Sequence, residues 1–570
     1  MATKFAPVVA TVALAGALPA FGQVASEGFN VNGAVGLGLR LSSAKAKDPA
    51  ALNEYRDTDN SILGGFEANG RGRDYYFDVF TENLGTNDQY VDLRGGKYTI
   101  FKYQVYNNRM VHNWAIGALT PYAGVGTNLL TATLPNLNTA TWNRFNLAER
   151  RDTTGLMFEF SNNSPWYIRT EANEVNQRGT RLIAGSNGTS PGNGFTDHAF
   201  PVEYKTRNLG LEGGYSSKRG QFALAVLHSR FGNSNDTLRW SNAFFGGLDT
   251  TWLPPDNEYT KLSANGAWKQ LPMGSTLAGR LTYSKTTSAF DIAGTALNTG
   301  GVFGAPNPSQ PQFNGDIRHT TASLSLHANP TRQIDTRLYW NWFDKDNRSP
   351  HITFTTPPTG LNCGGLSCVT ETLSYRKNNL GLDAGYRLNA QNRIVAGLDF
   401  VNLHRDRVDF DETKDRRLSL EYRNTTFDWM SARLKYQFLE RRSHFLEGNA
   451  GTGPADPEFL NRFVARFDAS NVDQNLVKMV FDFEPAALWT IGLEGIYKQN
   501  KFKDTVLGRT KDQRQELYLS LGWGDPQGFR VMAFADVEWI QYDSYHRNIG
   551  DLAATNAYDP AATPSALNYN

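Results

Sequence analysis

The side chains with most scope for chemistry are two cysteines, nine histidines and a set of charges embedded in apolar segments. Cys363 and Cys368 stand in C-G-G-L-S-C, inside a stretch rich in Gly and Pro, and they are the only cysteines of the 570 residues. In an oxidising compartment that spacing closes a small disulfide loop, whereas a metal site would need a histidine or a second cysteine pair nearby. No C-x-x-C-H occurs, so the chain carries no c-type haem of its own. His112, His198, His228, His319, His327, His351, His404, His444 and His546 are scattered along the chain. No Ser/His/Asp or paired-carboxylate set has a reason to converge. The expectation is a protein that is not an enzyme and binds neither metal nor cofactor itself.

The embedded charges are a different matter. Glu212, Arg280, Arg337, Asp383, Arg387 and Glu494 each alternate with Leu, Trp, Ile or Tyr: Arg280 with Leu277, Leu281 and Tyr283, Arg337 with Leu338 and Trp340, Glu494 with Trp489, Ile491 and Leu493. A charge so deep in a spanning strand is tolerable only where it faces water or a protein partner. All six are therefore candidates for an inner, partner-facing wall, and the element that must position them is a strand with side-chain period two.

Residues 208–231 show that element most clearly. N-L-G-L-E-G-G-Y puts Leu209, Leu211 and Tyr215 on one face and Asn208, Gly210 and Glu212 on the other. A turn, S-S-K-R-G, then sends the chain back into Phe222, Leu224 and Val226, again alternating. The first half recurs as N-L-G-L-D-A-G-Y at 379–386, and about 21 such segments of roughly 10 to 13 residues follow one another from Phe29 onward. Within pairs the connections are short, as at 216–220, 329–332, 389–392 and 524–528; between pairs they are long and polar, as at 232–255, 287–317, 344–370 and 439–471.

Composition agrees with strands that are greasy on one face and wet on the other. Hydrophobic residues make up 40% and aromatics 12%, yet mean hydropathy is −0.47. No run beyond residue 25 approaches the ~18 apolar residues of a spanning helix. A formal net charge of +1 gives no field that would draw nucleic acid. Residues 1–25 read as a secretory signal peptide, with Lys4 ahead of an apolar run and small residues near Ala20 and Ala25.

These features predict an all-β fold: a large transmembrane antiparallel up-and-down barrel over residues 26–543, with short periplasmic turns and long extracellular loops, and a polar tail or final loop at 544–570. A propeller would pack four strands with short connections into each repeat of about 50 residues, where this chain fits two strands and a long loop. Trp268, Tyr386, Trp429, Trp489 and Trp523 all fall within a few residues of short turns, where a periplasmic aromatic girdle belongs. Bacterial single-chain barrels have even strand numbers, so 21 visible strands leave two readings: a count that is off by one in the poorly patterned region 84–151, or a sequence that stops before a barrel of 22 to 26 strands closes. At ~4.8 Å spacing and ~40° tilt such a barrel is roughly 45 to 50 Å across, with roughly 25 to 30 Å of clear lumen. A hole that wide must be filled.

The segment P-V-E-Y-K-T-R-N-L-G-L-E-G-G-Y-S-S-K-R-G (201–220), with L-H-S-R-F (227–231), L-R-W-S-N-A-F (238–244) and the run from Pro255 to Ser284, resembles the MtrB/PioB family. The resemblance extends over about residues 29–543. It implies a bacterial outer-membrane porin of up to 26 strands that sheathes a periplasmic multihaem c-type cytochrome for extracellular electron transfer, the haem being the partner's. It leaves open an extracellular cytochrome capping the pore. Some members carry a C-x-x-C near the mature N-terminus; this chain has none. The alternative function is a passive or substrate-specific porin plugged by its own loops.

Overall fold

The computed structural model describes residues 10–14, 28–41, 60–134, 136–186, 195–242, 247–292, 307–355, 368–370, 372–406, 410–445, 470–503, 508–525, 528–547 and 568–569. Cys363 lies outside them, and the expected disulfide with Cys368 therefore lies outside the described residues.

Alternation is realised as one antiparallel meander in which each strand pairs with its sequence neighbours. Its strands are β1 (Phe29–Leu41), β2 (Ser61–Gly72), β3 (Tyr75–Glu82), β4 (Tyr90–Lys97), β5 (Phe101–Thr120), β6 (Asn143–Phe160), β7 (Trp166–Ser186), β8 (Phe195–Ser216), β9 (Gly220–Asn233), β10 (Asn257–Leu271) and β11 (Ser275–Asp291). There follow β12 (Gln312–Ala328), β13 (Ile334–Asn347), β14 (Tyr375–Arg387), β15 (Asn392–Arg405), β16 (Phe410–Phe427), β17 (Met430–Phe445), β18 (Asn471–Ala486), β19 (Trp489–Lys503), β20 (Gly508–Gly524) and β21 (Arg530–Arg547). The 21 strands match the sequence count. Ala10–Leu14, inside the stretch read as a signal peptide, pairs with the end of β1, and Asn568–Tyr569 pairs with the end of β21. Among the described residues no ladder joins β21 to β1.

Two expectations need adjusting. Several strands are much longer than 10 to 13 residues: β7 has 21 and β8 has 22. Alternation continues in polar residues beyond any hydrocarbon boundary, and the ladder continues with it; for the same reason β21 runs on to Arg547, past the expected end at 543. The turn asymmetry also has exceptions, because 83–89, 406–409 and 504–507 are short connections on the long-loop side.

The two faces of the sheet differ as a membrane wall requires. Leu209, Leu281 and Leu420 are 57%, 54% and 52% exposed, while the Asp399 side chain on the opposite face is only 13% exposed. A sheet that leaves leucines out on one face and turns Asp399 to the other is built for an apolar solvent on its outer side. Side chains on the polar face also reach two strands across: the Tyr339 hydroxyl on β13 donates to Asp399 on β15 at 2.6 Å. Such convergence marks the concave face.

The outer band has readable edges. At the short-turn end Trp268, Tyr386, Trp429, Trp489 and Trp523 all point outward, 43 to 49% exposed. Trp489 stands opposite Trp523 in register, Trp166 packs edge-on against Tyr215 at 5.0 Å and Trp429 stacks on Phe483 at 6.2 Å. Towards the loop end the outer leucines give way to outward ion pairs: Arg207 with Glu174 at 2.9 Å, Arg230 with Glu258 at 3.8 Å, Arg376 with Asp344 at 3.0 Å and Arg416 with Glu440 at 3.6 Å. On β8 the apolar outer stretch runs only from Leu209 to Tyr215, on the order of 20 Å along the strand, which fits a ~25 Å hydrophobic band with tilt and girdle included. Residues of β8 before Arg207 stand clear of the hydrocarbon.

One compact core exists among the described residues, and it lies on the inner face at the loop end. Loop residues Tyr122, Leu130, Leu238, Trp240 and Leu253 close over Phe200, Val202 and Tyr204 of β8. The ladders of β8 with β7 and β9 run without a register shift, so these three share the face of Glu212. A small sheet, Leu248–Trp252 against Thr237–Ser241 with Leu129–Leu130 alongside, gives this cap its frame. His198 is fully buried in it, stacked on Trp240 at 4.5 Å and edge-on to Tyr122 at 5.2 Å.

Candidate partner-facing lumen wall

The repeated N-L-G-L motif explains how the inner wall is made. Its inward positions are Asn, Gly, an acid and Gly, small enough that a neighbouring strand's long side chain lies across them. At Gly214 the ring of Tyr167 comes in from β7, and its hydroxyl donates to Glu212 at 2.8 Å; a Cβ on Gly214 would sit 2.5 Å from that ring. In the second copy Tyr339 lies over Gly381, where a Cβ would meet the ring at 2.1 Å. Gly385, the next inward position, is bridged by the ion pair of Asp335 on β13 with Arg393 on β15. Glycine is there for close approach, and each bridge gives a part-buried polar side chain a partner on another strand.

The six candidate residues all fall on the inner face, and three come together. Arg337 and Asp383 form a 3.9 Å ion pair across β13 and β14, and with Arg387 they line one cavity of about 540 Å³ near the short-turn end. Arg337 also lies over the ring of Tyr339, 4.7 Å from its centroid. Glu212 is held by Tyr167 on a distant part of the wall. Arg280 lies on β11 between Asn265 and Ser323, away from the cavity. Glu494 pairs with Lys478 across β18 and β19.

Residues not anticipated from the sequence complete the cavity: Asp335, Arg393, Glu421, Arg423 and Lys435. Arg387 stands opposite Arg393, Arg393 opposite Arg423, and Arg423 opposite Arg433, so four guanidinium groups occupy one inward row on β14 to β17. Hairpin symmetry was the available signal, since 387 and 393 flank position 390 equally and 423 and 433 flank 428. Arg393 is neutralised by Asp335 and Arg423 by Glu421. Among the described residues, Arg387, Arg433 and Lys435 have no carboxylate within ion-pair distance. The described residues contain no cluster of three or more His, Cys, Asp or Glu able to hold a metal ion.

An inner wall of paired charges behind an outer wall of leucine and tryptophan is the arrangement of a membrane barrel, and the family comparison agrees. The sequence profile of the outer membrane beta-barrel porins MtrB/PioB matches residues 45–563. The chain belongs to this family. Over 508 residues it is 23% identical to outer membrane protein MtrB of Shewanella baltica (strain OS185), a match covering 85% of this chain and 69% of that protein. As an MtrB/PioB porin the protein resides in the outer membrane. Solved barrels are more distant: the ferric yersiniabactin uptake receptor FyuA of Yersinia pestis has 12% identity and a TM-score of 0.43, covering 90% of this chain and 78% of that one. The siderophore receptor PiuA of Acinetobacter baumannii has 9% identity and a TM-score of 0.42, covering 90% and 80%.

Proposed function

We propose that this MtrB/PioB porin is a sheath that holds a periplasmic multihaem c-type cytochrome across the outer membrane for extracellular electron transfer. The chain supplies insulation and a docking wall; the haems belong to the partner. The observation that carries this reading is the charged inner face at hydrocarbon depth, with Arg337, Asp383, Lys478 and Glu494 directly behind the outward positions Leu338, Leu382, Met479 and Leu493. Embedding such charges is sustainable only against water or a polar occupant, and a barrel of this perimeter needs an occupant if it is not to leak. A protein partner of matching polarity satisfies both demands. An extracellular cytochrome at the loop end would extend the same path.

A second reading, a passive or substrate-specific porin plugged by its own loops, draws support from the cap that Tyr122, Leu130, Leu238, Trp240 and Leu253 build on the inner face of β8. The two readings part on purification from outer membranes. The sheath brings down a c-type cytochrome with Soret absorbance in fixed ratio to barrel. A plugged porin comes down colourless and conducts ions in planar bilayers, and that result would sink the sheath.

A further inference from the structure

We propose that the inward row Arg387, Arg393, Arg423 and Arg433, with Lys435 beside it, is a docking surface for side-chain carboxylates on an acidic face of the protein held in the lumen. The inference rests on the sheath reading above and names the chemistry of the contact. Like charges directly opposite one another across a sheet are destabilising. Here three such juxtapositions are set side by side, with Asp335 and Glu421 answering only the two central residues. A wall selected for its own stability would bring acids within reach of Arg387 and Arg433 too. Leaving the ends of the row unanswered keeps positive charge available to something else.

Place and size say what that is. The row faces inward at the level where Tyr386, Ile394 and Tyr422 face outward, so lipid headgroups do not reach it. Three strand spacings of about 4.8 Å span roughly 14 Å, far wider than a single phosphate or chloride and suited to several carboxylates on one macromolecular surface. Its position near the short-turn end puts it at the periplasmic mouth, where a partner folded in the periplasm would enter. Complementary charge there speeds encounter and fixes register.

The test compares R387Q/R433Q, which removes only arginines lacking an internal carboxylate, with K218Q/R219Q, which removes the same charge from the exposed turn between β8 and β9. Each barrel is purified with its co-purifying cytochrome, and Soret absorbance per barrel is followed as NaCl is raised. R387Q/R433Q should weaken retention about tenfold and release the cytochrome at lower salt, while K218Q/R219Q and the charge-keeping R387K/R433K stay near wild type. Heat-modifiable gel migration reports folding of each variant. A wild type that carries cytochrome, with R387Q/R433Q releasing it at unchanged salt, overturns the docking surface and leaves the sheath standing. Equal release by K218Q/R219Q also overturns it, because general periplasmic charge would then suffice. A wild type that carries no cytochrome overturns the sheath itself.

Discussion

The inner face of the wall is finished in two opposite ways. Around the upper part of β8 it is apolar and covered: Phe200 and Val202 lie under Trp240 and Leu238, and almost no surface remains. Around β13 to β17 it is charged and open, with five cationic and three acidic residues lining the cavity. The strands beneath differ too, since β8 has 22 residues and β13 to β17 have 13 to 18. A tall strand lifts its inner face beyond the membrane, where the chain's own loops can cover it. A short strand has little inner surface except at membrane depth, where only polar contacts serve. The first region is closed by this chain; the second is left open and charged.

The sharpest way to break that contrast is to remove the cap's central ring. Trp240→Ala should cost the cap about 3–5 kcal/mol and open the cap strands at 129–130, 237–241 and 248–252 to protease on intact cells, while heat-modifiable migration of the barrel stays unchanged. If the barrel unfolds along with the cap, the two regions are one cooperative unit and the contrast fails.

Acid should produce a smaller form of the same effect. Burial pulls the His198 imidazole down to about 4, against an opposing pull from Asp197, whereas in the opened cap it returns to its ordinary value near 6.5. Between those values the open state binds a proton that the closed state refuses, so cap stability is full above about pH 6.5 and falls as pH drops towards 4, by up to about 3 kcal/mol. Protease sensitivity of the cap should rise over that window in wild type and stay level in His198→Phe. A matching rise in His198→Phe would assign the acid response to another group.

Much of this is legible in the sequence. Period-two alternation and tight turns suffice for the wall, its strand count and its outward tryptophans, because each depends on neighbours in sequence. The cap is signalled only by a change of parity along β8: Leu209, Leu211 and Tyr215 are apolar at odd positions, but Phe200, Val202 and Tyr204 at even ones. That switch states that the upper inner face is covered without naming the loops that cover it. The arginine row needed more, since Arg393 meets Arg423 only when the register between two hairpins is known. Arg337, Asp383 and Arg387 were recognisable one at a time as inward charges; their assembly was not.

Within the charged region, Gly381→Val should be the most damaging small change. It drives a branched side chain into the ring of Tyr339 and displaces the 2.6 Å hydrogen bond to Asp399. A cost of about 1–3 kcal/mol follows from overpacking, seen as a lower temperature for loss of the heat-modifiable band. Gly213→Val is the control, since a Cβ there meets only the Tyr167 carbonyl at 4.0 Å. Equal losses at both sites would mean that strand propensity, and not the tyrosine bridge, sets the penalty.

The smallest expected effect is the most discriminating for the arginine row. Asp335→Asn and Arg393→Gln break the same ion pair, whose side chains are 29% and 30% exposed, so by pairwise reckoning each costs the same, under about 1 kcal/mol. The row makes them unequal. Arg393→Gln also removes a cation that faces both Arg387 and Arg423, and the relief offsets the lost pair. Asp335→Asn keeps all four cations and takes away one of the two acids that temper them. Asp335→Asn should therefore be the less stable of the two at low ionic strength, and the gap should close near 1 M NaCl, where the screening length falls to about 3 Å. Equal, salt-independent stabilities would mean that the four guanidinium groups do not feel one another, and that nothing in the wall itself holds charge in reserve for a partner.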